Sequence, residues 1–268
     1  MVQELFGIPT AELVEMFLRI LLATIFLVFL ILVSKWQKMG MGRAYIISFT
    51  RGFIQLILVA FILEIIFDLE ELTLLIIALV VMSLLAAQSS AQQFPGYPNV
   101  LIIQAMSITV SSIVVMGISS TIGIIDLVGE FVIPMGGMVI SNAMVISGIV
   151  LERIFSDISK QKGQIEAALS LGASVNQACQ PILREAFRAG VLPSTNRVAI
   201  LGIVSIPGLM SGMIIGGMEP IIAAIYQIII FLMILAAGVI AELIAGYYFV
   251  KQLFTKQYQL KYEYFEVS

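Results

Sequence analysis

Apolar residues run along this chain in long blocks separated by short polar or charged stretches. A helix needs ~20 mainly apolar residues to cross the hydrocarbon core of a bilayer. Seven blocks meet that length: about 11–33, 44–66, 72–88, 100–124, 131–150, 198–217 and 221–249. They are unbroken and do not alternate with the period of two that membrane strands require. The pattern therefore predicts an all-α integral membrane protein of about seven transmembrane helices. The third block is short. The fourth is rich in Ser and Thr, which a span tolerates where the hydroxyls face protein or water.

The loops between the blocks alternate in charge. Lys35, Lys38 and Arg43 lie in the first. Arg153, Lys160, Lys162, Arg184, Arg188 and Arg197 lie in 151–197, and Lys251, Lys256 and Lys261 in the tail. Twelve of the 14 basic residues thus fall on one side. The opposite loops carry Asp68, Glu70, Glu71, Asp126, Glu130 and Glu219 and no base. The positive-inside rule then predicts an external N-terminus and a cytoplasmic C-terminus. The uncharged loop 89–99 gives no vote. Glu4, Glu12 and Glu15 precede the first block without any Lys or Arg, so that block does not read as a cleavable signal peptide, which needs a basic start.

Composition narrows the chemistry. Hydrophobic residues make up 60% and charged residues 12% of the 268, against about 25% charged in soluble domains. The mean hydropathy is +1.07. A chain this apolar cannot cover itself with polar surface, which excludes a soluble domain and a disordered one. No His occurs, which removes His-based triads and His-ligated metal sites. The single Cys, Cys179, excludes an intrachain disulfide. No P-loop sequence is present, so the chain does not itself hydrolyse ATP. A net charge of −3 offers no nucleic-acid footprint.

Segment 151–197 is long for a connection, and long connections carry function or structure of their own. Glu166-Ala167-Ala168-Leu169-Ser170-Leu171-Gly172 reads as a helix that Gly172 ends. Ser174-Val175-Asn176-Gln177 offers a capping box to a second helix, which Pro181 would kink. Two short helices with a bend are expected. A solvated amphipathic connector is the plainer alternative.

Glu166, Ala167, Ala168 and Gly172 resemble the EAA motif of ABC-transporter permeases, although the motif's usual Leu-Pro ending arrives late, at Leu192-Pro193. The resemblance implies a coupling helix that docks on a separate ATPase chain. Further stretches resemble the FetB-type iron-export permeases, to which plant aluminium-tolerance permeases are related. They are Arg51-Gly52-Phe53-Ile54-Gln55-Leu56, Ile133-Pro134-Met135-Gly136-Gly137-Met138, Asn142-Ala143-Met144, Gly202 through Gly212, and Glu219-Pro220. That family implies two permease chains with two copies of an ATPase, ATP being bound by the ATPase and no cofactor by this chain. It also implies the cell membrane as location, iron or another metal as cargo, and a single permease domain over 1–268 with 151–197 as its coupling segment.

Polar side chains inside a membrane are costly and usually face the bundle interior. Ser48, Arg51 and Gln55 share one face of the second span by their spacing. Gln104, Ser107 and Ser111 repeat that spacing on the fourth, and Asn142 sits within the fifth. Arg51, Gln55, Gln104 and Asn142 are the candidate translocation path. Interhelical hydrogen bonding is the alternative for each. Arg19 is expected to pair with Glu15, four residues before it. Glu64 and Glu242, near span ends, are expected to reach the headgroups or to gate entry. Gly208, Gly212 and Gly216 form a small-residue stripe expected to pack against another helix, with Pro207 kinking that span. The 14 Met are spread over nearly all spans and read as packing, so the sequence shows no metal site.

The expected function is the permease subunit of an ABC metal exporter. An exporter of organic or nucleotide-sugar cargo and a secondary transporter are the alternatives. An intramembrane enzyme is disfavoured, because Asp68, Asp126 and Asp157 all lie in loops or at span ends.

Overall fold

Strongly apolar runs bounded by Gly, Pro and charged turns fold as helices throughout. A computed structural model describes residues 10–69 and 71–265. Glu4 and Glu70 lie outside the described residues, as do the side chains of Glu12 and Asp68. Nine α-helices are present among the described residues: α1 (Thr10–Trp36), α2 (Gly42–Leu69), α3 (Leu72–Ala91), α4 (Val100–Thr121), α5 (Gly129–Lys160), α6 (Lys162–Ser170), α7 (Val175–Ala199), α8 (Gly208–Ile215) and α9 (Pro220–Gln252). A short 3-10 turn spans Tyr262–Tyr264. Six helices contain stretches long and apolar enough to cross a membrane: Phe17–Trp36, Gly42–Glu64, Leu72–Ala91, Val100–Thr121, Gly129–Lys160 and Pro220–Gln252. The all-α, multi-pass class is as expected.

The chain divides into two units, Met1–Leu69 and Glu70–Ser268. In the first, α1 and α2 form a hairpin. Lys38 and Gly40 adopt positive φ at its turn, and the Met41 N–H bonds to Ser34 Oγ at 3.0 Å. Arg19 pairs with Glu15 at 2.6 Å, as the spacing predicts. Arg51 and Gln55 are exposed on α2.

In the second unit, α4, α5 and α9 pack on one another, with α3 against α4 and α5 and α7 against α5 and α9. Close approach comes from glycines that no stripe in the sequence analysis singled out. Gly136 lies against Leu79, Gly238 against Ile146, and Gly246 against Phe187. A side chain at any of these would meet its neighbour at once.

Aromatic rings close one end of this unit. Tyr97 stacks on Phe155 at 4.1 Å between centroids, and Phe155 on Phe265 at 4.8 Å. Asn99 Nδ2 donates to Gln252 Oε1 at 2.9 Å. The 89–99 loop therefore shares an end with the start of α7, the end of α9 and the tail. This is the basic end.

The expected span 198–217 is not a continuous helix. α7 ends at Ala199, an irregular stretch follows through Pro207, and α8 has only eight residues. Eight residues rise about 12 Å, too little to span ~30 Å. Gly202 with positive φ and Pro207 break the helix: Gly202 N–H bonds to the Ser205 carbonyl, and Pro207 has extended backbone. The segment nevertheless climbs α9. Gly190 sits beside Glu242, Ser194 bonds to Asn142, and Asn142 in turn bonds to the Ile234 carbonyl. Met210 N–H reaches Gln227 Oε1 at 3.2 Å. From Glu242 to Gln227 is about 22 Å of helix. The C-terminal half of α7, the irregular stretch and α8 together cover the distance expected of one helix.

Gly208 and Gly212 have open space where a side chain would project, and Gly216 meets only the backbone of its own helix. The packing contact expected of them is not made within this chain. The helix is too short and presents other residues, Met210 among them, to α9.

Candidate functional site

At the basic end, α5 continues to Lys160 instead of stopping near 150, so the segment beyond the span begins as its extension. The short helix α6 is built from good helix formers and buries one residue, Ile165. It stops in a Schellman turn: Gly172 N–H bonds to the Leu169 carbonyl and Ala173 N–H to the Ala168 carbonyl. Gly172 takes φ +90°, which glycine adopts at no steric cost. Ser174 then caps α7. Its backbone N–H donates to Gln177 Oε1 at 2.9 Å, and Gln177 N–H donates back to Ser174 Oγ at 3.3 Å. This is the capping box expected. α7 is not short, however. It runs 25 residues through Pro181 and Pro193.

The result is a rigid, hydrogen-bonded corner at 170–174. Leu171 stands at its tip, 89% exposed. Val175, by contrast, faces inward and joins the core with Ile165 and Cys179. Of the apolar residues at this corner, Leu171 is presented outward and Val175 is not. Burial pushes the Cys179 thiol up to about 12.

Glu166 is not a free carboxylate. Tyr262 Oη donates to its Oε1. That bond holds the tyrosine proton and pushes its hydroxyl above the ordinary range. The tail reaches Glu166 by folding back after α9. Lys261 N–H bonds to the Leu253 carbonyl at 2.9 Å, and Thr255 N–H to the Gln259 carbonyl at 2.8 Å. Lys162 Nζ lies 4.6 Å from the Phe265 ring centre and 5.4 Å from that of Tyr262. No expectation from the sequence covers this latch, whose available signal is the tail's Tyr262, Tyr264 and Phe265.

Deeper in the second unit is a polar seam. Ser147 Oγ donates to Gln104 Oε1 at 2.7 Å, while Gln104 Nε2 has no partner among the described residues. Asn142 Nδ2 donates to the Ile234 carbonyl at 3.0 Å, and Ser194 Oγ donates to Asn142 Oδ1 at 3.0 Å. Glu242 does not reach headgroups. It is 3% exposed, some ten residues inside the end of α9. The span read as 221–249 placed it near an end, but α9 continues to Gln252 and packed chain covers it. Gln104 and Asn142 of the candidate path thus belong to the second unit's interior, whereas Arg51 and Gln55 lie exposed on the first. Among the described residues no group of three His, Cys, Asp or Glu is placed to hold a metal ion.

Comparison with known proteins agrees in extent. The model of the uncharacterised protein family UPF0014 matches residues 17–254. The chain is 30% identical to the "Probable iron export permease protein FetB" of Escherichia coli (strain K12), covering 89% of this chain and 92% of that protein. It is 31% identical to the "UPF0014 membrane protein YjkA" of Bacillus subtilis (strain 168), over 91% and 98% respectively. It is 29% identical to the "Protein ALUMINUM SENSITIVE 3" of Arabidopsis thaliana, over 86% and 85%. No solved structure matches. With the family match across most of its length and six apolar helices behind it, the chain belongs to the UPF0014 family of multi-pass membrane proteins.

Proposed function

We propose that this chain is the membrane-spanning permease subunit of an ABC exporter that moves iron or another metal ion. ATP is hydrolysed by a separate partner chain, and two permease chains make one transporter. The observation that carries this is the corner at 170–174. A rigid turn outside the apolar spans holds Leu171 almost fully exposed, next to a helix braced by Tyr262. A transporter without a P-loop needs such a contact point for the ATPase. An apolar knob on a fixed helix suits a groove on a partner. The metal cargo is supported by the name of the Escherichia coli relative, a probable iron export permease.

In this reading the basic end is cytoplasmic. The interrupted segment completes an odd number of crossings, and its break gives the bundle a joint between α7 and α8. A secondary transporter would also use a discontinuous helix, but it has no use for an exposed coupling corner. The test compares cells with and without the chain for export of iron, other metals and UDP-sugars, with the ATPase present. Lower cell iron only when both chains are present supports the proposal. Export of a sugar nucleotide alone would replace the cargo.

A further inference from the structure

Between α7 and α9, at the basic end, lies a cavity of about 450 Å³. Asn176, Gln180 and Arg184 line it and step by four along α7, so they share one face of that helix. Leu183, Phe187 and, from α9, Tyr247 complete the wall, the Phe187 and Tyr247 rings 5.7 Å apart between centroids. From Asn176 to Phe187 is about 16 Å of helix. The wall changes character along that length. Amides stand nearest the corner at 170–174, the Arg184 guanidinium follows, and aromatic rings close the far end.

The far end lies at headgroup depth. α9 has 33 residues, where ~20 cross the hydrocarbon core. Its final turns, with the exposed Tyr247 and Tyr248 and with Lys251, therefore stand in the interfacial layer, where tyrosine is favoured. The donors are unengaged. Among the described residues Arg184 forms no ion pair, and Asn176 and Gln180 make no side-chain hydrogen bond. Gln177 Oε1 belongs to the capping box, which leaves its amide nitrogen to donate. No acidic residue lines the cavity among the described residues; Glu185 is exposed on α7 but is not part of the wall. Arg188, exposed one turn beyond Arg184, and Lys251, one turn beyond Tyr247, add positive charge nearby. A guanidinium holds phosphate oxygens in pairs. Cationic and amide donors beside apolar rings match a phosphodiester that carries acyl chains, and basic pockets between helices at this depth take anionic headgroups.

We propose that this cavity binds one anionic phospholipid. Its phosphate sits on Arg184 and the amides of Asn176 and Gln180, and its acyl chains descend past Phe187 and Tyr247. A soluble partner docked at the corner reaches Asn176 and Gln177 but not the rings at headgroup depth. The site does not depend on the export reading. The lipid joins α7 to α9 beside the corner.

The test is native mass spectrometry of the detergent-purified full chain, titrated with phosphatidylglycerol or with phosphatidylcholine. The wild type is expected to hold one phosphatidylglycerol more tightly than any phosphatidylcholine. Arg184→Gln is expected to weaken phosphatidylglycerol binding about fivefold, the effect of one basic contact. Gln180→Glu is expected to abolish the preference for the anionic lipid. Lys256→Gln, which removes an exposed charge at the same end outside the cavity, retains it. Arg184 and Gln180 are both exposed, and thermal unfolding of each variant reports its fold. Equal wild-type affinity for the two lipids, or wild-type affinity for phosphatidylglycerol in Arg184→Gln, overturns the site. An equal loss in Lys256→Gln also overturns it, because the attraction is then diffuse. Inorganic phosphate is the third arm. Phosphatidylglycerol that resists it supports the lipid site, and phosphatidylglycerol displaced by it at equal concentration makes the cavity a site for free phosphate instead.

Discussion

The Tyr262 hydroxyl donates to the Glu166 carboxylate, joining the tail that follows α9 to the short helix α6. One consequence is that a push on α6 reaches α9 through the tail as well as through the backbone of α7. Tyr262→Phe is expected to free the tail, seen as faster proteolysis after Lys256 or Lys261, and to lower transport several-fold without loss of the folded bundle. Glu166→Lys removes the acceptor and is expected to act in the same direction, with weaker ATPase copurification. Unchanged proteolysis in Tyr262→Phe would show that the bond does not hold the tail.

The Tyr262 proton is held by this bond, so its folded pKa lies above the unfolded one. Stability from it is complete below the unfolded value near ~10 and is lost as pH rises through the folded value. The latch is thus expected to be indifferent to pH between 6 and 9 and to open only in alkali, as read by tyrosine absorbance.

Gly172→Val forces a β-branched residue into φ +90°, at about 1–3 kcal/mol of local strain. It and Leu171→Asp are expected to abolish ATPase copurification while the variant still elutes as a folded protein. Retention of the ATPase by both would return 151–197 to the role of a plain connector.

How much of this was legible follows from period and punctuation. Continuous apolar runs determine helices α1 to α5 and α9, and Gly172 with the Ser174 capping box determines the corner, because these signals are local. The interrupted segment was not legible. Its apolar composition satisfies a span, and the break depends on Gly202 and Pro207 acting together. The stripe at Gly208, Gly212 and Gly216 misled for the same reason, since a period has meaning only along an unbroken helix. The working glycines, Gly238 and Gly246, flank Glu242 at intervals of four on α9. That spacing was readable, but an acidic residue within it pointed away from a packing face until burial was known.

Gly238→Val is expected to destabilise the bundle by about 1–3 kcal/mol through overpacking against Ile146 and Asn142. Gly212→Ala, with open space around it, is expected to stay within about 0.5 kcal/mol of wild type. Thermal unfolding in detergent distinguishes them, and equal effects would contradict the packing described.

Cys179, fully buried with its thiol pushed up to about 12, is expected to be silent toward maleimide at pH 7.5 until the protein is denatured. Leu171→Cys therefore reports sidedness without a cysteine-free background. An impermeant maleimide is expected to label it in inverted vesicles and not in intact cells. The opposite pattern would reverse the proposed topology.

Arg51→Leu removes an exposed charge from α2 whose insertion at a span centre costs about 2.5 to 3.5 kcal/mol. Membrane insertion is expected to hold or improve and transport to be lost. Normal transport would make Arg51 structural.

The proposed function requires that ATP hydrolysis by a partner chain drive metal through this one. The direct measurement is uptake of radiolabelled ferrous iron into inverted vesicles that contain the chain and its ATPase, with ATP or a non-hydrolysable analogue. Uptake is expected to require both chains, to stop with the analogue and to be abolished by Gly172→Val. Uptake that persists with the analogue and collapses with the proton gradient would contradict it.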